Sequence, residues 1–204
     1  MTRPLQPAVF FDKDGTLVED RPYNVDCSTL CLAAGAIDAM EALQTLGYQL
    51  VVVTNQSGIA RGLFTIDDFR RLERALIDRL AAAGVHLSGV YFCPHLPDAS
   101  VSEYAVACDC RKPRPGLFFQ AAEQLGLDLP RSWMVGDILD DVEAAHRAGC
   151  RAVLLHGSTE TEWRVSPLRR PEAIVANLPA AARYISAAPD SARPPCPARV
   201  EALP

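Results

Sequence analysis

The chain has 204 residues, a formal net charge of −5 and a pI near 5.4. That length makes one domain with a substantial core, and the acidic balance removes any general electrostatic reason to hold nucleic acid or an anionic membrane surface. No apolar run reaches membrane-spanning length, and Met1 to Pro7 lacks the basic-then-apolar order of a signal peptide. A cytoplasmic monomer acting on a small molecule is expected. Seven cysteines are an odd number, and three of them share one short window with a histidine. In a reducing compartment that reads as metal binding rather than disulfides.

The first predicted element is a strand at Ala8–Phe11, a continuous apolar run of the kind buried on both faces of a parallel sheet. It stops at Asp12-Lys13-Asp14-Gly15-Thr16, where Gly15 permits a sharp turn and Thr16 can hydrogen-bond it. Leu17 to Leu32 is polar or irregular, carries Pro22, and reads as a flap. Ala36 to Leu46 has helical spacing with Gly47 as its stop. A second buried strand, Tyr48 to Val53, ends in Thr54-Asn55-Gln56-Ser57-Gly58. Thr65 is the predicted N-cap of a helix running to about Gly84. Gly89 to Cys93 is a third strand, and Pro94 to Pro115 is irregular. A helix at 116–125, a strand at 133–135, a helix at 140–148 and strands at 151–155 and 173–175 follow. Leu178 to Ile185 is the last helix. From 187 to 204 proline is dense and periodicity is gone, so a disordered tail is expected beyond a domain spanning 1–186.

Strands alternating with helices imply a parallel sheet with helices on both faces, a three-layer Rossmann-like α/β fold. Right-handed crossovers put the strand C-terminal ends on one edge. Asp12, Thr54 and Asp137 each end a strand, so they should meet in one crevice. Paired carboxylates there want a cation, and oxygen-only ligands suit Mg²⁺.

The string Asp12-x-Asp14-Gly15-Thr16 resembles the first motif of the haloacid dehalogenase superfamily, most of whose members are phosphatases. Thr54 matches its second motif, Lys112 its third, and Gly136-Asp137 with Asp141 its fourth. The resemblance implies a catalytic set of Asp12, Asp14, Thr54 and Lys112. Asp12 would be the nucleophile, forming an aspartyl-phosphate, and Asp14 would protonate the leaving group and then activate water. Thr54 and Asn55 would donate to the phosphoryl group, and Lys112 would supply fixed positive charge. Asp137 would complete a Mg²⁺ site with Asp12 and the backbone carbonyl of Asp14, with Asp141 orienting those ligands.

A second constellation is Cys93-Pro94-His95 followed by Cys108-Asp109-Cys110. Three thiols and an imidazole match Cys₃His structural zinc sites, and four ligands would fill the tetrahedron. Such a Zn²⁺ would pin a loop with little secondary structure of its own. The loop runs directly into Arg111-Lys112, so the metal would hold two cations over the phosphate site.

These motifs, the string Thr54 to Gly62, and Pro113 with Pro115-Gly116 together resemble the D-glycero-D-manno-heptose 1,7-bisphosphate 7-phosphatases over residues 8–185. That resemblance implies a Mg²⁺-dependent sugar bisphosphate phosphatase in nucleotide-activated heptose biosynthesis, with Asn55, Gln56, Ser57 and Arg111 at the substrate. Arg61 is a weaker candidate for the same role. Histidinol-phosphate phosphatases share the motif set, and they or another small sugar or nucleotide phosphatase remain the alternative. Three positions depart from the family pattern: Lys13 stands for Arg, Ile138 for Lys, and Arg21-Pro22-Tyr23 for His-Gly-Tyr. The interval from Thr16 to Thr54 leaves no room for a large cap domain once the helix from Ala36 is taken out. The crevice should stay open, walled by the small zinc loop.

Overall fold

The computed structural model describes residues 4–157 and 166–188. Six parallel strands form one sheet in the order β3-β2-β1-β4-β5-β6. They are β1 Ala8–Phe11, β2 Gln49–Asn55, β3 Leu87–Cys93, β4 Trp133–Gly136, β5 Arg151–Leu155 and β6 Ala173–Val175. The helices are α1 Ala36–Thr45, α2 Ser57–Ala60, α3 Ile66–Ala82, α4 Gly116–Leu125, α5 Leu139–Ala148 and α6 Leu178–Ala187.

Strand alternation divides the apolar residues into two cores. Val9 and Phe11 of β1 join Leu50 and Val52 of β2 on the face covered by α1, α3 and α6. Ala8 and Phe10 join Val51 and Val53 on the face covered by α4 and α5. Phe10 meets Phe118 of α4 with ring centroids 4.6 Å apart. All four residues of β1 are buried, which explains why the sequence shows an unbroken apolar run there rather than alternation. A third, smaller cluster stands apart at the C-terminal end of the sheet. It comprises Ile59, Phe64 and Phe69, with Val25, Phe92 and Tyr104 packed against it.

Thr65 caps α3 as predicted: its Oγ1 accepts from the Asp68 backbone N–H at 3.1 Å, and Asp68 returns the bond to the Thr65 N–H at 2.8 Å. This reciprocal arrangement satisfies two donors that the first turn would otherwise leave open. Several bounds differ from the sequence reading: β3 begins at Leu87 rather than Gly89, the ends of α1, α5 and β4 move by a residue, and two differences bear on the site. β2 continues through Thr54 and Asn55, which still pair with Phe92 and Cys93 of β3; their polarity looked like a strand end but serves the crevice. α2 is one turn of four residues, too short to carry a helical period. Among the described residues there is no inserted cap domain and no helix long and apolar enough to cross a membrane. The segment expected to be a disordered tail lies, beyond Ala188, outside the described residues.

β1 lies between β2 and β4, and the chain leaves β1 toward β2 but returns from β3 to β4 on its other side. Such a reversal opens a crevice at the strand C-terminal ends. Asp12, Thr54 and Asp137 all sit there.

Candidate active site

Asp12 follows the last residue of β1, and its backbone N–H still donates to Val135 O of β4 at 3.0 Å. Its side chain is therefore fixed by the sheet. Gly15 turns the chain with φ +77°, and a Cβ there would meet Asp137 Oδ2 at 2.4 Å. Glycine is thus required both for the turn and for the approach of the two motifs. Thr16 Oγ1 donates to Asp137 Oδ1 at 3.4 Å.

Lys112 reaches this point from the far end of the irregular loop. Its ammonium lies 2.6 Å from Asp12 Oδ1 and 2.7 Å from Asp141 Oδ1, and it donates to Val53 O at 2.9 Å. The ammonium thus donates to two oxygens and forms an ion pair with a third, and the side chain is almost fully buried. Its backbone is held too: Asn55 Nδ2 donates to Lys112 O, and Asn55 Oδ1 accepts from Lys112 N, both at 3.1 Å. Burial opposes the charge on Lys112, but the attraction of Asp12 and Asp141 outweighs it and holds the pKa above the ordinary lysine value.

Carboxylate oxygens of Asp12, Asp137 and Asp141 lie within 4.8 Å of one another, and all three residues are buried. Burial pushes Asp12 up to about 7 against the pull of Lys112, with Asp141 and Asp14 adding to the rise. Burial raises Asp137 to about 8, reinforced by Asp141 and Asp12. Three crowded acids with a single lysine are short of positive charge, and a hard divalent cation with oxygen ligands meets that deficit. The donor set fits Mg²⁺. Asp141, expected only to orient the ligands, is itself within this cluster. Its other oxygen accepts from the Ile138 backbone N–H at 3.3 Å.

The Asp14 side chain points elsewhere. One oxygen pairs with Lys13, and the other accepts from Gln56 Nε2 at 3.0 Å. The same Gln56 nitrogen donates to Thr54 Oγ1 at 3.0 Å. Beside it lies a cavity of about 160 Å³ walled by Asp20, Tyr23 and Asn24 of the flap and by Asn55, Ser57 and Gly58. Arg61 stands 5.9 Å from the centroid of the Tyr23 ring, linking flap and α2 across its rim.

The second cluster forms as the cysteine spacing predicts. Sγ atoms of Cys93, Cys108 and Cys110 are separated by 3.5, 3.1 and 3.2 Å, and His95 Nδ1 lies 3.7 Å from Cys93 and 3.3 Å from Cys110. Zn–S bonds of ~2.3 Å in a tetrahedron require sulfur atoms ~3.8 Å apart, so a slight spreading admits the ion. Hydrogen bonding from Cys93, above all, pulls Cys110 down to about 5 against its burial. The cluster could hold zinc. Gly116 N donates to Asp109 O at 2.9 Å, and a Cβ on Gly116 would meet that oxygen at 2.4 Å. The loop is thereby closed onto the start of α4. Arg111 Nη1 donates to His95 O at 3.3 Å, fixing its guanidinium to the cluster.

Sequence reasoning brought these residues to one edge, but it left Lys13 as a mild departure and gave Gln56 only a general place at the substrate. Neither the burial of Lys13 nor the bridge from Gln56 to Asp14 has a local pattern. The pairing of Asn55 with Lys112, 57 positions away, also has none.

Comparison with known proteins identifies the family. An HAD-hydrolase-like family model matches residues 109–181. A D-glycero-β-D-manno-heptose-1,7-bisphosphate 7-phosphatase of Yersinia pestis is 41% identical over 189 residues, 87% of this chain and 97% of that protein. Among solved structures, a HAD-like phosphatase from Mesorhizobium loti superposes with a TM-score of 0.77 at 34% identity, covering 90% of this chain and 88% of that one. The D,D-heptose 1,7-bisphosphate phosphatase of B. bronchiseptica, complexed with magnesium and phosphate, gives 0.72 at 28% identity, covering 89% and 98%. The chain is a phosphoric monoester hydrolase and belongs to the D-glycero-β-D-manno-heptose-1,7-bisphosphate 7-phosphatase family of HAD-like hydrolases.

Proposed function

We propose that this chain removes the 7-phosphate of D-glycero-D-manno-heptose 1,7-bisphosphate, with Mg²⁺ as catalytic cofactor, Zn²⁺ as structural cofactor and an aspartyl-phosphate intermediate. The observation that carries the reading is the meeting of Asp12, Lys112, Asp137 and Asp141 at one sheet edge, with the Lys112 ammonium 2.6 Å from the Asp12 carboxylate. Mg²⁺ held by Asp12, Asp137 and the Asp14 carbonyl would supply positive charge toward the phosphoryl oxygens and reduce their repulsion from the nucleophile.

Asp12 attacks phosphorus, and its oxygen forms the new P–O bond. The bond from phosphorus to the sugar oxygen breaks, and its electron pair stays on that oxygen. Asp14 delivers the proton that neutralises it and then takes a proton from the water that hydrolyses the acyl phosphate. Lys112 offsets charge on Asp12 and the phosphoryl group. The Thr54 hydroxyl donates to a phosphoryl oxygen, and Asn55 holds the Lys112 backbone in place. Ser57 lines the cavity beside Asp14, where the sugar would lie.

Arg111 separates the two substrate readings. A guanidinium anchored on the zinc loop grips a second phosphate, whereas it repels the ammonium group of histidinol phosphate. The expected kcat/KM ratio favours the heptose bisphosphate by at least ~10-fold, or ~1.4 kcal/mol, and Arg111→Ala should narrow it. A side-by-side turnover assay checks this, and a preference for histidinol phosphate would overturn the substrate assignment.

A further inference from the structure

Lys13 is a buried cation beside the site to which the chemistry above gives no role. Only 2% of the residue is exposed, and its ammonium pairs with Asp14 Oδ1. An ammonium so enclosed needs a partner at fixed geometry, because leaving it unpaired is costly. The backbone around it is equally constrained. Lys13 O accepts from both Leu17 N and Val18 N at 3.0 Å, and Gly15 N donates to Val18 O at 3.0 Å. The turn cannot shift to let the lysine search for another partner.

On the opposite side of the Asp14 carboxylate, Gln56 Nε2 uses one hydrogen on Asp14 Oδ2 and the other on Thr54 Oγ1, both at 3.0 Å. The Asp14 carboxylate and the Thr54 hydroxyl therefore flank the same nitrogen. Thr54 is the proposed donor to the phosphoryl group, so this shared bridge sets the Asp14 carboxylate beside the place where that group would lie.

We infer that Lys13 is a positioning residue for Asp14. Together with Gln56 it forms a two-sided clamp that orients the carboxyl group for proton transfer to the leaving oxygen. This rests on the acid role given to Asp14 in the proposed reaction. The clamp matters in proportion to how much the leaving group needs a proton. A sugar alkoxide needs one to depart, whereas p-nitrophenolate departs as a stable anion.

The test compares kcat/KM, which covers the steps through phosphoryl transfer to Asp12, for heptose 1,7-bisphosphate and p-nitrophenyl phosphate. Asp14→Asn serves as reference and should depress the sugar substrate far more than the aryl one. Lys13→Met should shift the ratio in the same direction by ~10-fold or more, and Lys13→Arg should restore it to within ~3-fold. If Lys13→Met does not fold, Gln56→Leu carries the same test from the other oxygen. Equal losses on both substrates in a folded Lys13→Met, with Asp14→Asn behaving as expected, overturn the clamp alone. Equal losses in Asp14→Asn overturn the acid assignment and the clamp with it.

Discussion

The two ligand clusters of this protein are built on different foundations. The Asp12, Asp137 and Asp141 carboxylates stand at or just beyond the ends of central strands, where sheet and helix hydrogen bonds fix them whether or not a cation is present. They also have a resident positive charge in Lys112. Of the thiols and imidazole of the other cluster only Cys93 belongs to a strand; His95, Cys108 and Cys110 sit in irregular chain. A bound metal would draw them together as a group. A catalytic ion placed on a rigid edge can come and go without loss of structure. A structural ion on a loop is part of what makes the loop a structure.

The sharpest way to break this comparison is to remove charge from the rigid cluster. Asp12→Asn keeps the shape of the nucleophile and should lower turnover by ~10³-fold or more while the melting temperature holds. Activity above about a tenth of wild type would show that Asp12 does not attack phosphorus.

The loop cluster should respond in the opposite sense. Protein purified without chelator should carry close to one zinc per chain by elemental analysis. Cys108→Ala should lose it, expose the 94–115 loop to limited proteolysis, and lower activity by roughly 10- to 100-fold through displacement of Arg111 and Lys112. A zinc-free variant with wild-type protease resistance and turnover would remove the distinction between the clusters.

The smallest effect is a pH dependence. Asp12 and Asp137 have folded pKa values raised to about 7 and about 8, above the ~4 of an exposed carboxyl group. Their contribution to metal-free stability is complete below ~4 and is lost as the pH rises through those folded values. Mg²⁺ binds the ionised form, so its stabilising effect should grow over the same window. The gain in Tm on adding Mg²⁺ should be larger at pH 8 than at pH 5.5 by roughly 3 °C, the equivalent of ~1 kcal/mol. An equal gain at both values, measured by calorimetry, would mean that these carboxyl groups do not take up the ion.

What the sequence made legible follows from how far each feature reaches along the chain. The apolar run that stops at Asp12, the Thr65 cap and the Cys93-to-Cys110 spacing are local, and each imposes its chemistry within a few residues. Asn55 clamping the Lys112 backbone, Gln56 bridging Thr54 to Asp14, and Arg151 stacked 3.9 Å above the Trp133 ring are pairings that exist only after the sheet has formed. Periodicity carries no trace of them. Thr54 and Asn55 show the limit well: their polarity marked them as functional and, for the same reason, hid the last two residues of β2.

The small cluster of Ile59, Phe64 and Phe69 bears on how such an enzyme diversifies. It ties the flap, α2 and the zinc loop to one another through Val25, Phe92 and Tyr104; its buried members belong to neither main core, and Val25 alone of those three also packs against the core under α1, α3 and α6. Substitutions among Ile59, Phe64 and Phe69 reach the packing beneath Asp12 and Asp137 mainly through Val25, and those that spare it should add nearly independently to changes in the main core. New substrate preferences can therefore be sampled by drift in one corner of the molecule while the phosphoryl-transfer apparatus is inherited intact.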